Sequence, residues 1–302
     1  MKNNIYSREQ YLRTKAAEKE PLNIQLTNNY AFRKTFKNSY IAKGFLIALL
    51  ELNEEDIVDL EVIDPFEEGE SEEEKEGILD IKIYLNNNKK INIEMQNRYQ
   101  EDWTERSVFY NCRMFTESFY HGQPYEDLEP CIHVGILNFD QMKSPGFHHH
   151  IKLLDIKTNE EYSSKLQFHV VQLKQIKSAT EEEKQTELYD WTRLLAAKDW
   201  GEVEETIRGN PYREAVKNEM YKMSQDEKER YLYLREEMAV SDEISRMRTA
   251  KKEGIEQGKE EGIEQGIELT KKIFKLYNKG YSVEQIAKEC SMEASKIQEI
   301  LS

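Results

Sequence analysis

The stretch GILDIKIYLNNNKKINIEMQ, residues 77–96, predicts the centre of the fold. Two runs of alternating apolar and polar residues, Ile78–Leu85 and Ile91–Gln96, flank the turn-forming sequence NNNKK, which is typical of a β-hairpin. Because side chains alternate across a strand, each run has one apolar face and one polar face. The polar face carries five ionisable or amide side chains, those of Asp80, Lys82, Asn92, Glu94 and Gln96.

The register of this hairpin decides which polar side chains meet. Both apolar faces must reach the same core, which restricts the loop to an odd number of residues. A three-residue loop sets Asp80 opposite Glu94, and a five-residue loop sets it opposite Gln96. In either register the three side chains lie within roughly 5–8 Å of one another between Cβ atoms.

Two carboxylates and an amide on one sheet face predict a site for a divalent cation. Mg²⁺ prefers oxygen ligands, and Mn²⁺ accepts the same set. Asp80 and Glu94 would bind the metal with the Met95 carbonyl as a third ligand, while Gln96 would orient the attacking water of a hydrolysis. The alternative is an ordinary solvated sheet on which Asp80, Lys82 and Glu94 form weak surface ion pairs.

Further elements are predicted on both sides of the hairpin. A buried helix over residues 38–52, capped by Asn38 or Ser39, precedes a strand that begins near Asp56 and ends at an acidic loop after Pro65. After the hairpin, the patterns predict an aromatic-rich helix, a fully buried strand and one more strand, at Gln100–Tyr120, Cys131–Phe139 and Phe168–Leu173.

Three consecutive histidines, His148 to His150, invite a metal-binding interpretation. Adjacent residues on a strand point alternately, however, and the preceding Pro145-Gly146 predicts a loop. Trp191 and Trp200 are predicted to anchor the core of the helical region that follows.

The last third of the chain is predicted to be helical, because no proline follows Pro211 and Glu, Lys, Met and Leu dominate. Glycine recurs every four residues from Gly254 to Gly266, which lines one helical face with backbone. Either another helix packs on this face, most simply from a second subunit in a homodimer, or the segment is a solvated linker. The final segment, with Ser282 as a cap and Gln285 as its capping-box partner, resembles a helix-turn-helix or a small packing module.

Composition limits the function classes. The chain has 302 residues, and its three scattered cysteines argue against a disulfide framework. Its net charge of −15 argues against DNA binding through a surface that is basic as a whole. The N-terminus carries no apolar signal sequence and no apolar run is long enough to span a membrane, so a cytoplasmic protein is expected. A small basic patch beside the site can still form from Arg33, Lys34, Lys37, Arg98, Arg106 and Arg113.

Several blocks of the sequence resemble the recombination-promoting nuclease (Rpn) and transposase family of the PD-(D/E)XK nuclease superfamily. The most specific block is the hairpin ending in IEMQ; the others include LTNNYAFRKTFKN, ERSVFYNCRMF and LYDWTRLLAAKD, and the resemblance spans about residues 22–302. It implies an α/β fold with an αβββαβ core and a Mg²⁺-dependent DNA endonuclease linked to recombination or mobile elements. By this match Asp80 and Glu94 bind the metal, and Gln96 stands where other superfamily members carry lysine.

The resemblance also suggests a division of the chain and two further site residues. We expect an N-terminal arm (1–21), a nuclease-like domain (22–180), a helical region (181–250) and a tail with the glycine-step helix (251–302). Arg106 and Tyr110 fall on a helix beside the site and could contact DNA phosphates, although such residues often only pack against the core.

One position departs from the family pattern. Asn29 stands roughly where the family shows an acidic residue, which leaves open a catalytically weak or inactive relative that acts by binding DNA or protein. Alternatively, Asn29 only caps the turn before the segment from Tyr30 to Phe36.

Overall fold

The computed structural model describes residues 2–63, 81–86, 88–117 and 119–302, with side chains from residue 8 onward. Within these ranges the helices are α1 (Lys2–Ala17), α2 (Asn29–Phe36), α3 (Ser39–Leu50), α4 (Trp103–Thr116), α5 (Glu187–Ala196), α6 (Trp200–Ile207), α7 (Pro211–Gln225), α8 (Glu227–Tyr277), α9 (Val283–Glu289) and α10 (Ala294–Leu301). The strands are β1 (Leu60–Ile63), β2 (Ile81–Leu85), β3 (Lys89–Gln96), β4 (Cys131–Leu137), β5 (His148–Leu154) and β6 (Glu161–Gln172).

The strands form one mixed sheet in the order β1-β2-β3-β4-β6-β5. β4 runs parallel to both β3 and β6, and the other neighbours are antiparallel. The crossover between the parallel strands β3 and β4 contains α4, since parallel neighbours need a long connection. With α3 before β1, this order is the αβββαβ core within an α/β fold, and that prediction is confirmed.

The β2–β3 hairpin forms where the alternating pattern predicted it. Ile81 pairs with Ile93 and Leu85 pairs with Lys89, so residues 86–88 form a three-residue loop. Asn86 takes a φ of 53° there, a left-handed conformation that asparagine tolerates better than most residues. The shorter of the two predicted loops is therefore present, while Asp80, whose pairing depended on it, lies outside the described residues.

One face of the sheet lies on the main hydrophobic core. Helices α2, α3 and α5 supply the other side of this core, in which Trp191 is fully buried and packs edge-on against Phe45 with 5.6 Å between ring centroids. The predicted core positions of Trp191 and Trp200 are confirmed. Each buried aliphatic side chain contributes about 1.5–3 kcal/mol to folding. The sheet's buried residues in this core are on β2, β3, β4 and β6, namely Ile81, Ile83, Leu85, Ile91, Ile93, Met95, Ile132, Val134, Ile136 and Val171.

Helix α4 covers the opposite face of the sheet. It is shorter at both ends than the predicted Gln100–Tyr120 segment. Its buried residues recur every three or four positions, as expected of a helix with one face on a sheet. They are Trp103, Ser107, Asn111 and Met114.

Strand β5 corrects the loop predicted around His148–His150. His148 pairs with Val171 and His150 with His169, which adds β5 to the sheet edge beside β6. The Pro145-Gly146 signal marks only the turn before the strand. Pairing with β6 satisfies the backbone groups of β5, and this tertiary contact outweighs the local turn preference.

Asn28, not Asn29, caps helix α2, so the capping role considered for Asn29 is wrong. Asn28 precedes the helix with an extended backbone, and its Oδ1 accepts a hydrogen bond from the Ala31 amide at 3.2 Å. Asn29 is the first residue inside the helix. The Asn28 amide also donates to Glu237 at 2.8 Å, so this cap links α2 to α8.

Contacts divide the chain into two compact units, residues 1–237 and residues 238–302. The second unit is helical, as predicted, and buries a small apolar cluster around Ile273, Ile286 and Ile297. Ser282 and Gln285 form the predicted capping box of α9. The finer boundaries at residues 21, 180 and 250 stay predictions. None of the described helices is both long and apolar enough to cross a membrane.

Candidate active site

Glu94 and Gln96 lie together on the face of the sheet that α4 covers. Their side chains point away from the main core because they alternate with Ile93 and Met95, which are fully buried on the core side. The Gln96 amide donates a hydrogen bond to Oε1 of Glu94. Of the predicted pair of carboxylates, Glu94 is thus placed, whereas Asp80 lies outside the described residues.

Side chains of α4 and β4 face the two oxygens of the Glu94 carboxylate. Arg106 of α4 reaches Oε1 with its Nη2 atom at 3.7 Å, on the same side as Gln96. His133 of β4 faces Oε2, with its Nε2 atom 3.8 Å away. Since only 7 % of Glu94 is exposed, protein groups rather than bulk water surround this charge.

Burial sets the ionisation of Glu94. Taking a carboxylate out of water penalises its charged form, and this raises the pKa of Glu94 above its usual range. The hydrogen bond from Gln96 and the positive charge of Arg106 lower the pKa in part, but the effect of burial is larger. A bound cation would offset the same penalty, so the environment suits a carboxylate that acts as a metal ligand.

His133 is a site residue that sequence reasoning did not find. Parallel pairing of β3 with β4 sets Asn92 beside His133, and the Asn92 amide lies 3.1 Å from Nδ1 of the imidazole. His133 is fully buried. Burial, with the positive charge of Arg106 as a second cause, lowers the pKa of His133 to about 4, so the imidazole is neutral at pH 7 and its contact with Glu94 is not an ion pair. The sequence feature that could have identified it is a histidine inside the largely apolar run CIHVGILNF.

A glycine lets α4 approach the site closely. Gly135 pairs with Glu94 across β3 and β4, and Trp103 lies over it so tightly that a Cβ atom at Gly135 would be 2.2 Å from Cζ2 of the indole. No side-chain atom could occupy that position without moving the tryptophan. The small residue therefore fixes the distance between α4 and the strand that carries the site.

Arg106 and Tyr110 lie on one flank of α4. The Arg106 guanidinium sits 5.7 Å from the centre of the Tyr110 ring, a cation–π contact between residues one turn apart. Arg106 is partly exposed while it reaches Glu94, so it stands at the boundary between the buried carboxylate and solvent. The predicted contact of both residues with DNA stays a prediction.

Several buried polar atoms in and near α4 and β4 have no hydrogen-bond partner among the described residues. Such atoms are costly unless a ligand, ion or water satisfies them. They belong to side chains of α4, of β4 and of the loop before α4, and they are Nε2 of His133, Nε of Arg106, Nε1 of Trp103 and Oε1 of Gln100. This concentration of unsatisfied polar atoms fits a site that takes a polar or ionic ligand.

The part of the chain that the structure describes contains no group of three His, Cys, Asp or Glu side chains arranged to hold a metal ion. Glu94 and His133 offer two side-chain donors. The predicted carbonyl ligand belongs to Met95, whose side chain is buried on the other face of the sheet. A complete metal site on this face therefore depends on Asp80 or on backbone oxygens.

A second polar cluster lies on the opposite side of the sheet. His148, His150 and His169 line a cavity of about 290 Å³ between the end of α3 and strands β5 and β6. Nε2 of His148 is 2.9 Å from Nδ1 of His169, and the rings of His150 and His169 stack with 4.1 Å between centroids. These imidazoles contact one another instead of converging on one point, so they do not form a metal centre.

Comparison with known proteins agrees with the fold. The family model described as PD-(D/E)XK nuclease family transposase matches residues 26–250, which is more than half of the chain. No curated protein and no solved structure matches the chain. Sheet order, hairpin and family match agree, and the chain belongs to the PD-(D/E)XK nuclease family transposases.

Proposed function

We propose that this protein is a metal-dependent DNA endonuclease that hydrolyses phosphodiester bonds during recombination or the movement of mobile elements. The observation that carries the proposal is the burial of Glu94, the proposed metal-binding acid, whose carboxylate is contacted by Gln96, Arg106 and His133. A carboxylate is rarely buried to this extent unless it has a charged partner or a ligand.

The proposed metal ligands are Asp80, Glu94 and the Met95 carbonyl. The desolvated carboxylate of Glu94 supports this donor set, because a cation would offset the cost of its burial. Mg²⁺ or Mn²⁺, when bound there, supplies positive charge and Lewis acidity at the scissile phosphate.

The remaining groups act on the water and on the phosphate. Gln96 is half-buried beside Glu94, and its amide can orient a water molecule for attack on phosphorus. The water oxygen forms a new P–O bond as the bond to the leaving sugar oxygen breaks; the water gives up a proton to solvent, and the leaving oxygen takes a proton from solvent. Because Gln96 carries no charge, Arg106 is the proposed cation that stabilises the negative charge of the transition state.

A homodimer through the C-terminal helices would serve such an enzyme, because cutting both DNA strands requires two sites. Within the described chain, nothing lies within 4 Å of where a Cβ atom would stand at the four glycines of α8. Exposed isoleucines flank them at Ile255, Ile263 and Ile267. An apolar, glycine-lined helix face supports close packing against a second copy.

A plasmid-nicking assay tests the function. Supercoiled DNA is incubated with the full chain and Mg²⁺, Mn²⁺ or EDTA, and Glu94→Gln is compared with the matched control Glu61→Gln on exposed β1. We expect metal-dependent nicking that Glu94→Gln abolishes and Glu61→Gln retains. DNA binding without nicking under all conditions would contradict the enzyme and favour a nuclease-derived binding protein.

A further inference from the structure

One nitrogen donor stands in a site whose other predicted metal ligands are oxygens. We propose that Nε2 of His133 is a ligand of the same cation as Glu94, so that the site prefers first-row transition metals, with Mn²⁺ as the probe, over Mg²⁺. This inference rests on the proposed metal-dependent function and specifies its metal. The imidazole is fully buried, and its Nε2 atom has no hydrogen-bond partner among the described residues.

The separation of the two donors fits one shared cation. Metal–nitrogen and metal–oxygen bonds of about 2.0–2.2 Å place two ligand atoms about 3 Å apart at a right angle and about 4.3 Å apart when they lie opposite each other. Nε2 of His133 and Oε2 of Glu94 are 3.8 Å apart, between these limits. The distance is too long for a direct hydrogen bond, so the two atoms do not already satisfy each other.

Asn92 provides the hydrogen-bond partner that a metal-bound histidine needs at its second ring nitrogen. A ligating imidazole donates its other N–H to an oxygen acceptor, which fixes the tautomer and the ring orientation. The Asn92 amide nitrogen lies 3.1 Å from Nδ1, and its Oδ1 atom has no hydrogen-bond partner among the described residues. Because the O and N atoms of an amide exchange places by rotation, Oδ1 can accept the Nδ1 proton and leave the Nε2 lone pair directed at Glu94.

The chemistry of the donor set determines the metal. Mg²⁺ is hard and retains water and carboxylate ligands, whereas imidazole nitrogen suits later first-row metals. Helix α4 covers the imidazole through Trp103, whose ring centre lies 6.1 Å from that of His133. Because His133 is fully buried, its Nε2 atom has no contact with bulk solvent.

Pulsed electron paramagnetic resonance of the Mn²⁺-loaded full chain tests the ligand directly. A coordinated imidazole gives a ¹⁴N modulation, and protein made with ¹⁵N-histidine must replace it by the ¹⁵N pattern. We expect this modulation in the wild type and in His121→Gln, an exposed matched control, and its loss in His133→Gln. Absence of the ¹⁵N pattern in the labelled wild type would overturn the proposal even where His133→Gln does not fold.

Calorimetric titration adds the selectivity. We expect His133→Gln to weaken Mn²⁺ binding tenfold or more and to leave Mg²⁺ binding within about twofold. Mn²⁺ that binds and supports nicking without nitrogen modulation would overturn the role of His133 and leave the nuclease intact. A chain that binds neither cation and does not nick DNA would overturn the nuclease as well.

Discussion

Gly135 lies directly beneath Trp103, and a Cβ atom at residue 135 would stand 2.2 Å from Cζ2 of the indole. We expect Gly135→Ala to displace Trp103 and to lower the free energy of unfolding by about 1–3 kcal/mol, the usual cost of overpacking. Urea denaturation followed by tryptophan fluorescence measures this, because the three tryptophans lie in residues 1–237. Trp103→Leu in the same chain should recover part of the loss, and purely additive effects would contradict the steric explanation.

Because Glu94 is buried, we expect that replacing it with glutamine raises the free energy of unfolding, and that this gain depends on pH. Its folded-state pKa is raised above 4.5, so the wild type is relatively destabilised as pH rises through the folded pKa and the carboxyl ionises. Without metal, we expect Glu94→Gln to be more stable than the wild type at pH 7 by about 0.5–2 kcal/mol. The difference should disappear below pH 4.5, where both states of the wild type are protonated. Chemical denaturation in EDTA at several pH values measures it; a gain that persists unchanged at pH 4 would contradict burial as the cause.

Arg106 should matter for DNA cleavage more than its neighbours on α4. It reaches Glu94, whereas Arg113 lies two turns later on an exposed part of the same helix. We expect Arg106→Gln to lower kcat/KM at least tenfold, since it removes the positive charge at the site, and Arg113→Gln to change it less than threefold. Nicking rates at fixed ionic strength measure both; equal losses would point to general attraction of DNA instead.

His169 predicts acid sensitivity of the fold. Burial is the largest cause that lowers the pKa of His169 to about 2, and the neighbouring His150, His148 and Lys152 are smaller causes. In the unfolded chain this histidine takes up a proton near pH 6.5, whereas in the folded chain it stays neutral. Its contribution to the free energy of unfolding is therefore complete above pH 6.5 and declines as pH falls toward 2. The decline is about 1.4 kcal/mol per pH unit.

We therefore expect His169→Gln to flatten the loss of stability between pH 6 and pH 4, because glutamine does not titrate there. Urea denaturation at pH 7, 6, 5 and 4 measures the slope. His121→Gln, on an exposed segment, is the matched control and should retain the wild-type slope. A His169→Gln slope equal to that of the wild type would exclude this histidine as the cause.

The proposed homodimer is tested by light scattering at micromolar concentration. We expect the full chain to be a dimer, and a chain that ends near Val240, close to the boundary between the two units, to be a monomer. Gly258→Leu should weaken the dimer without affecting contacts within one chain, because no described atom lies within 4 Å of a Cβ at this position. A monomeric full chain would refute the proposal.

The sequence alone determined the local order of the site. Alternation in residues 77–96 placed Glu94 and Gln96 on one face and the isoleucines on the other, because strand periodicity depends only on neighbouring residues. The capping box at Ser282 and the helical last third were also readable, since both depend on local backbone preferences.

Tertiary structure alone decided which distant residues join that face. Asn92 and His133 are 41 positions apart, and only the parallel pairing of β3 with β4 brings them together. The same applies to β5, whose strand conformation comes from pairing with β6 against the local turn signal of Pro145-Gly146. Pairing partners and burial depend on the whole chain, so the neutral imidazole beside Glu94 could not be derived from any one stretch of sequence.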